Sequence, residues 1–137
     1  MYTLLLDHCG AQFAAVLRAI AAQDSAPALI HCAVGKDRTG LTIALTLGVA
    51  GLDYATIATD YSLSNALIEP LFDAFRAHGL ANGGDMQRLE AMLMSEHDTM
   101  VRTLAYLDTH YGGIDAYLVR AGMTEAELAR LQAILVA

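Results

Sequence analysis

At 137 residues the chain is long enough for one domain with a real hydrophobic core. Eight basic against 15 acidic side chains leave a net charge of −7, which argues against nucleic acid or an anionic membrane as a general partner. Two cysteines, Cys9 and Cys32, make no disulfide framework.

Residues 2–6 have the pattern of a short strand, and Asp7 or His8 starts a predicted helix that ends near Ala22, with Phe13, Val16, Leu17 and Ile20 on one face. Cys9 shares the face of Phe13. That fits core packing, a resolving thiol being the other reading. Asp24-Ser25-Ala26-Pro27 breaks the helix and delivers the chain into a clear strand, Ala28-Leu29-Ile30-His31. A polar loop follows, and Arg38-Thr39-Gly40 opens a long apolar helix. The run 40–52 is the most apolar of the chain but too short to cross a bilayer, so it reads as a buried central helix, and no other segment is expected to span a membrane.

Beyond a turn at Gly51, Asp53 is the predicted N-cap of a helix carrying Ile57 and Tyr61. Pro70 fits the first turn of the next helix, which buries Leu71, Ala74 and Phe75 and stops near His78-Gly79. Asn82-Gly83-Gly84 is a loop. Helices are predicted over 85–94 and 96–110, the second burying Met100, Val101, Leu104 and Leu107, and Gly112-Gly113 precedes a short helix ending at Gly122. Thr124 with Glu127 spells a capping box, with Met123 against Leu128 as its staple. The methionines Met86, Met92, Met94 and Met100 suit core filling, with an apolar substrate entrance as the alternative.

The chemistry concentrates at residues 31–40, His31-Cys32-Ala33-Val34-Gly35-Lys36-Asp37-Arg38-Thr39-Gly40. A loop entering a helix aims several backbone N–H groups inward, and the helix dipole adds to them, so the concavity suits an anion. Arg38 can grip two phosphate oxygens bidentately. Cys32 lies in the same field, which pulls its pKa below the free value of about 8.5 and makes it a nucleophile. Thr39 can donate to the thiolate, while Gly35 and Gly40 let backbone approach a ligand closely. Lys36 is the only lysine of the chain and makes the loop a positive island. For Cys32 alone, a buried core cysteine is the bland reading. A Walker-type nucleotide loop fits poorly, because Asp37 stands after Gly35-Lys36 where Ser or Thr is needed.

These ten positions, of the form H-C-x5-R-[ST]-G, resemble the signature loop of the cysteine-dependent protein tyrosine phosphatases. The wording HCxxGKDRTG is similar to a bacterial family that includes secreted mycobacterial enzymes acting on phosphotyrosine and in some cases phosphoinositides. Thr59-Asp60-Tyr61-Ser62-Leu63-Ser64-Asn65 resembles the family's DYxxSN segment, and Tyr111-Gly112-Gly113-Ile114-Asp115-Ala116-Tyr117-Leu118 through Gly122-Met123-Thr124 its closing helices. The resemblance implies an α/β fold of the cysteine-dependent phosphatase type, here mostly helical with one clear strand leading into the phosphate-binding loop. The chain would be a single domain over 1–137, corresponding to the C-terminal part of such a phosphatase. Family members carry several strands ahead of this region, so the sheet is expected to be incomplete or completed by a partner chain or homo-oligomer.

On that resemblance Cys32 is the nucleophile, and Arg38 with the loop of Ala33, Val34, Gly35, Lys36 and Asp37 binds phosphate. Asp37 is the expected acid/base, its alternative being a carboxylate merely paired with Arg38 or Lys36. Asp60 is the reserve, its alternative a turn bond near Ser64-Asn65. His31 and Thr39 support the thiol. Lys36 is placed to meet a second phosphate on an inositol ring. Expected substrates are thus phosphorylated proteins or phosphoinositides, with no cofactor. Neither the spacing of His8, His78, His97 and His110 nor the chemistry calls for metal. A non-catalytic phosphate-recognition module is the rival reading. No segment reads as a signal peptide, so a cytoplasmic location is expected, with secretion by a signal-independent route or from an upstream segment left open.

Overall fold

The computed structural model describes residues 1–22 and 27–136, and among them every regular element is an α-helix. In chain order these are α1 (Tyr2–Ala21), α2 (Asp37–Val49), α3 (Tyr54–Ser62), α4 (Ser64–Ala81), α5 (Met86–Leu93), α6 (His97–Tyr111), α7 (Ile114–Arg120) and α8 (Glu125–Leu135). The expected α/β class is therefore corrected to a mostly helical one. Residues 28–31 run without regular structure into the loop. A strand exists only as one half of a ladder, and none of the described residues supplies the other half. Residues 2–6, read as a second strand, are instead the first turn and a half of α1. The predicted break at 24–26 lies outside the described residues.

The helices α1, α2, α3, α6, α7 and α8 close around one core. Tyr2, Leu6, Phe13, Ala14, Leu17 and Ala21 recur at three- and four-residue spacing along α1 and are all buried. α1 thus begins five residues ahead of the predicted start, and its geometry departs from helical at Cys9 (φ −117°, ψ 20°). By length and composition α1 could cross a membrane, contrary to the expectation for every segment, yet this apolar face is a wall of the core. Opposite it, Leu41, Ala44, Leu45 and Val49 of α2 and Met100, Leu104 and Leu107 of α6 complete the interior. Arg18 of α1 bonds Glu127 (2.9 Å), tying the helix to α8.

Local grammar sets several ends. Asp53 accepts from the Thr56 amide, and Thr124 and Glu127 form the reciprocal capping box. At the end of α6, Gly112 (φ 84°) and Gly113 (φ 110°) take backbone angles that a side chain would strain, and the Gly113 amide returns to Leu107 O. α4 departs most from expectation. It begins at Ser64, so Pro70 sits inside it instead of in its first turn, and it buries Phe72 while Leu71, Ala74 and Phe75 are exposed. Where the chain leaves α5, the Asn65 side chain grips both backbone groups of Ser95, donating to its carbonyl (3.0 Å) and accepting from its amide (2.7 Å). Asn65→Ala should cost about 1–3 kcal/mol in urea unfolding, the penalty for stranding groups buried with Ser95.

Candidate active site

α2 opens at Asp37, one residue before the predicted start, which leaves the amides of its first turn without intrahelical acceptors. Gly35 takes φ 78° and bends the loop ahead of them. The amides of Thr39, Val34 and Gly35 converge on Cys32, and so does the Thr39 side chain. Partial burial of the thiol works to raise its pKa, but these donors outweigh it and bring the value down to about 6. Thr39 Oγ1 is buried and has no hydrogen-bond partner of standard geometry, so its proton is uncommitted and can turn to the sulfur once that is a thiolate.

At neutral pH most of Cys32 is then thiolate. Its rate of alkylation by iodoacetamide should rise through a midpoint near pH 6 and level off well before the range of an ordinary thiol. Thr39→Ala removes one stabiliser of the anion and should move that midpoint upward; an unchanged midpoint would leave the amides as the whole cause.

The other predicted residues divide into two sets. Arg38 is exposed, and among the described residues its guanidinium makes no hydrogen bond or ion pair, so all five donors are available to a ligand. With His31 and Thr39 it edges a cleft of about 330 Å³ walled by Leu5, Phe13, Val16 and Ile30, into which Cys9 also faces. His31 is exposed and its Nδ1 lies 3.3 Å from Cys32 O, so it contacts the backbone of Cys32. Ala33 and Val34 complete the loop, Ala33 on the outside. Both cysteines are free.

Lys36 and Asp37 pair with each other, which is the alternative named for Asp37, and both line a second cleft. Lys36 is 5% exposed, and its ammonium donates to Met92 O and pairs with Asp37 Oδ1 at 3.2 Å. The ammonium expected to meet a substrate phosphate is thus engaged within the protein, where it ties the loop to the end of α5. Asp37 Oδ1 also accepts from the Tyr2 hydroxyl (2.7 Å), and Tyr2 in turn meets the Tyr61 hydroxyl. Asp37 is half-buried at the edge of a cleft of about 210 Å³ lined by Met92, Met94 and Glu96 as well as the two tyrosines. Asp60 does not join: it is exposed on α3, and among the described residues its carboxylate has no bond to the loop. The methionines also divide, with Met100 filling the core and Met92 and Met94 lining the Asp37 cleft.

Tyr2, Tyr61 and the Met92 carbonyl were not singled out for the site from the sequence. Tyr61 stood inside the DYxxSN resemblance, next to the aspartate that drew attention. Tyr2 was hidden by the strand reading of 2–6; helical spacing from Tyr2 through Leu6 to Phe13 is the signal that could have found it.

A lowered thiol under convergent amides at a helix start is an arrangement that can hold an oxyanion, and Arg38 follows in the first turn of that helix. The chain belongs to the tyrosine phosphatase family, whose model matches residues 1–137. It is 35% identical over 136 residues to a tyrosine-protein phosphatase of Nostoc commune, covering 96% of this chain and 46% of that protein. It is 31% identical over 120 residues to the triple specificity protein phosphatase PtpB of Mycobacterium tuberculosis, covering 80% of this chain and 44% of that one. The chain thus spans less than half the length of either relative.

Proposed function

We propose that this chain carries the catalytic loop of a phosphatase that hydrolyses phosphomonoesters, phosphotyrosine first among them, through a cysteinyl-phosphate intermediate. The observation that carries the reading is the Cys32 thiol, lowered to about 6 by Thr39 and the amides of Thr39, Val34 and Gly35, on a loop that runs into the helix carrying Arg38, whose guanidinium has no partner among the described residues. The Cys32 thiolate attacks phosphorus as the bond to the leaving phenolic oxygen breaks, and Arg38 with the loop amides takes up charge on the non-bridging oxygens. The leaving oxygen takes a proton from Asp37. Water then attacks phosphorus, the phosphorus–sulfur bond breaks, Asp37 takes the water's proton, and inorganic phosphate leaves with the thiolate restored. Since Oδ1 of Asp37 already accepts from Tyr2 and Lys36, Oδ2 is the oxygen that carries the proton.

Phosphoinositide hydrolysis rested on Lys36 meeting a second phosphate. With that ammonium on Met92 O and Asp37, the protein substrate is the better supported of the two. Incubation with nitrophenyl phosphate should release nitrophenol and inorganic phosphate catalytically. Phosphate binding without turnover would replace the enzyme with a recognition module.

A further inference from the structure

We infer that Tyr2 and Tyr61 are positioning residues for the acid/base step, forming a one-way chain of hydroxyl donors that fixes which oxygen of Asp37 exchanges protons with substrate and water. The inference rests on the reaction proposed above and adds to it two residues from elements remote in sequence from the loop.

The direction of the chain follows from counting protons. A phenol has one, and that of Tyr2 is committed to Asp37 Oδ1 at 2.7 Å. In the contact between Tyr2 and Tyr61 the donor must therefore be Tyr61. Donors thus run Tyr61, Tyr2, Asp37, and each bond polarises the next toward the carboxylate. Burial raises the pKa of Tyr2 and of Tyr61, so both keep their protons and the direction holds at any working pH.

Packing gives the chain a rigid seat. The two rings meet edge to face with centroids 6.0 Å apart, and both are nearly buried. A methyl group on Gly40 would come within 2.9 Å of the Tyr61 ring, so the ring lies directly on the backbone of the first turn of α2. Tyr61 therefore touches the helix that presents Arg38 and Thr39 and also feeds the chain that ends on Asp37. With Tyr2 and Lys36 both on Oδ1, the carboxylate cannot turn without giving up two donors, and Oδ2 is held as the working oxygen.

The test compares Tyr2→Phe, Tyr61→Phe and Asp37→Asn on two esters. Phenyl phosphate has a poor leaving group that needs the acid, and dinitrophenyl phosphate has one that does not. Asp37→Asn should slow the phenyl ester about 100-fold, the lower end of general acid catalysis, and Tyr2→Phe about tenfold, with the dinitrophenyl ester falling much less in each. In the Asp37→Asn background, Tyr2→Phe should add nothing to the leaving-group dependence. A purely structural role would lower both esters equally, and that result, or a full extra loss in the double variant, overturns the inference while leaving the phosphatase reading intact. No phenol release from the unaltered chain with either ester overturns both. Should Tyr2→Phe unfold the chain, Tyr61→Phe leaves the Tyr2 bond to Asp37 in place and carries the same comparison at smaller amplitude.

Discussion

Cys32→Ser should abolish turnover, lowering kcat by about 10⁴-fold or more, while inorganic phosphate still binds. The alcohol that replaces the thiol does not ionise near neutral pH, so the donors that bring the thiol to about 6 have no anion to act on. Those donors survive the change, because the amides of Val34, Gly35 and Thr39 belong to the backbone. Arg38→Lys should give the complementary result. It keeps the charge but loses the planar fork, and about 10²- to 10³-fold in kcat should go with the charge stabilisation that builds in the transition state. Measured together, the two variants separate nucleophile from cradle: the first loses chemistry and keeps phosphate, the second weakens both. A Cys32→Ser protein with normal turnover would remove the thiol from the mechanism.

The loop was legible because everything that defines it is local. Cys32, Gly35, Arg38 and Thr39 fall within eight consecutive residues, and a loop running into a helix start brings them together by backbone geometry alone. The partners of Asp37 and Lys36 were not, because Tyr2 lies 35 residues from Asp37 and Met92 lies 56 from Lys36. No local pattern encodes that Lys36 turns inward. A lone lysine in an acidic chain reads as a cation for substrate, and only the packing of α5 against the loop shows a carbonyl waiting for it.

Helix ends followed the same division. Asp53 and the Thr124–Glu127 box were readable because a cap is a contact three residues long. Whether 2–6 or 28–31 forms a strand is decided by a ladder partner elsewhere, and a short apolar run looks alike in both states. Pro70 misled for a related reason: proline is commonest in a first turn, but its own turn tolerates it wherever the preceding carbonyl can do without a donor.

The largest loss of stability is expected at Tyr117, the bulkiest fully buried side chain, where α7 meets α1. Its ring packs edge to face on Tyr111 with centroids 5.0 Å apart, and its hydroxyl donates to Leu6 O at 2.9 Å. That carbonyl lies one turn before Cys9, where α1 departs from helical geometry, so the phenol serves an acceptor beside a fault in the ladder. A Cβ on Gly10 would come within 3.3 Å of the same hydroxyl, which shows how closely α1 approaches the ring. Tyr117→Ala removes the ring and the donor together and should cost about 3–5 kcal/mol in urea unfolding. Tyr117→Phe keeps the ring and removes only the donor, for about 1–2 kcal/mol. Against a typical total of about 5–15 kcal/mol for a domain, the alanine variant sits near the edge of folding and the phenylalanine variant does not. Equal losses in the two would mean that the bond to Leu6, and not the volume of the ring, holds α7 against the bend in α1.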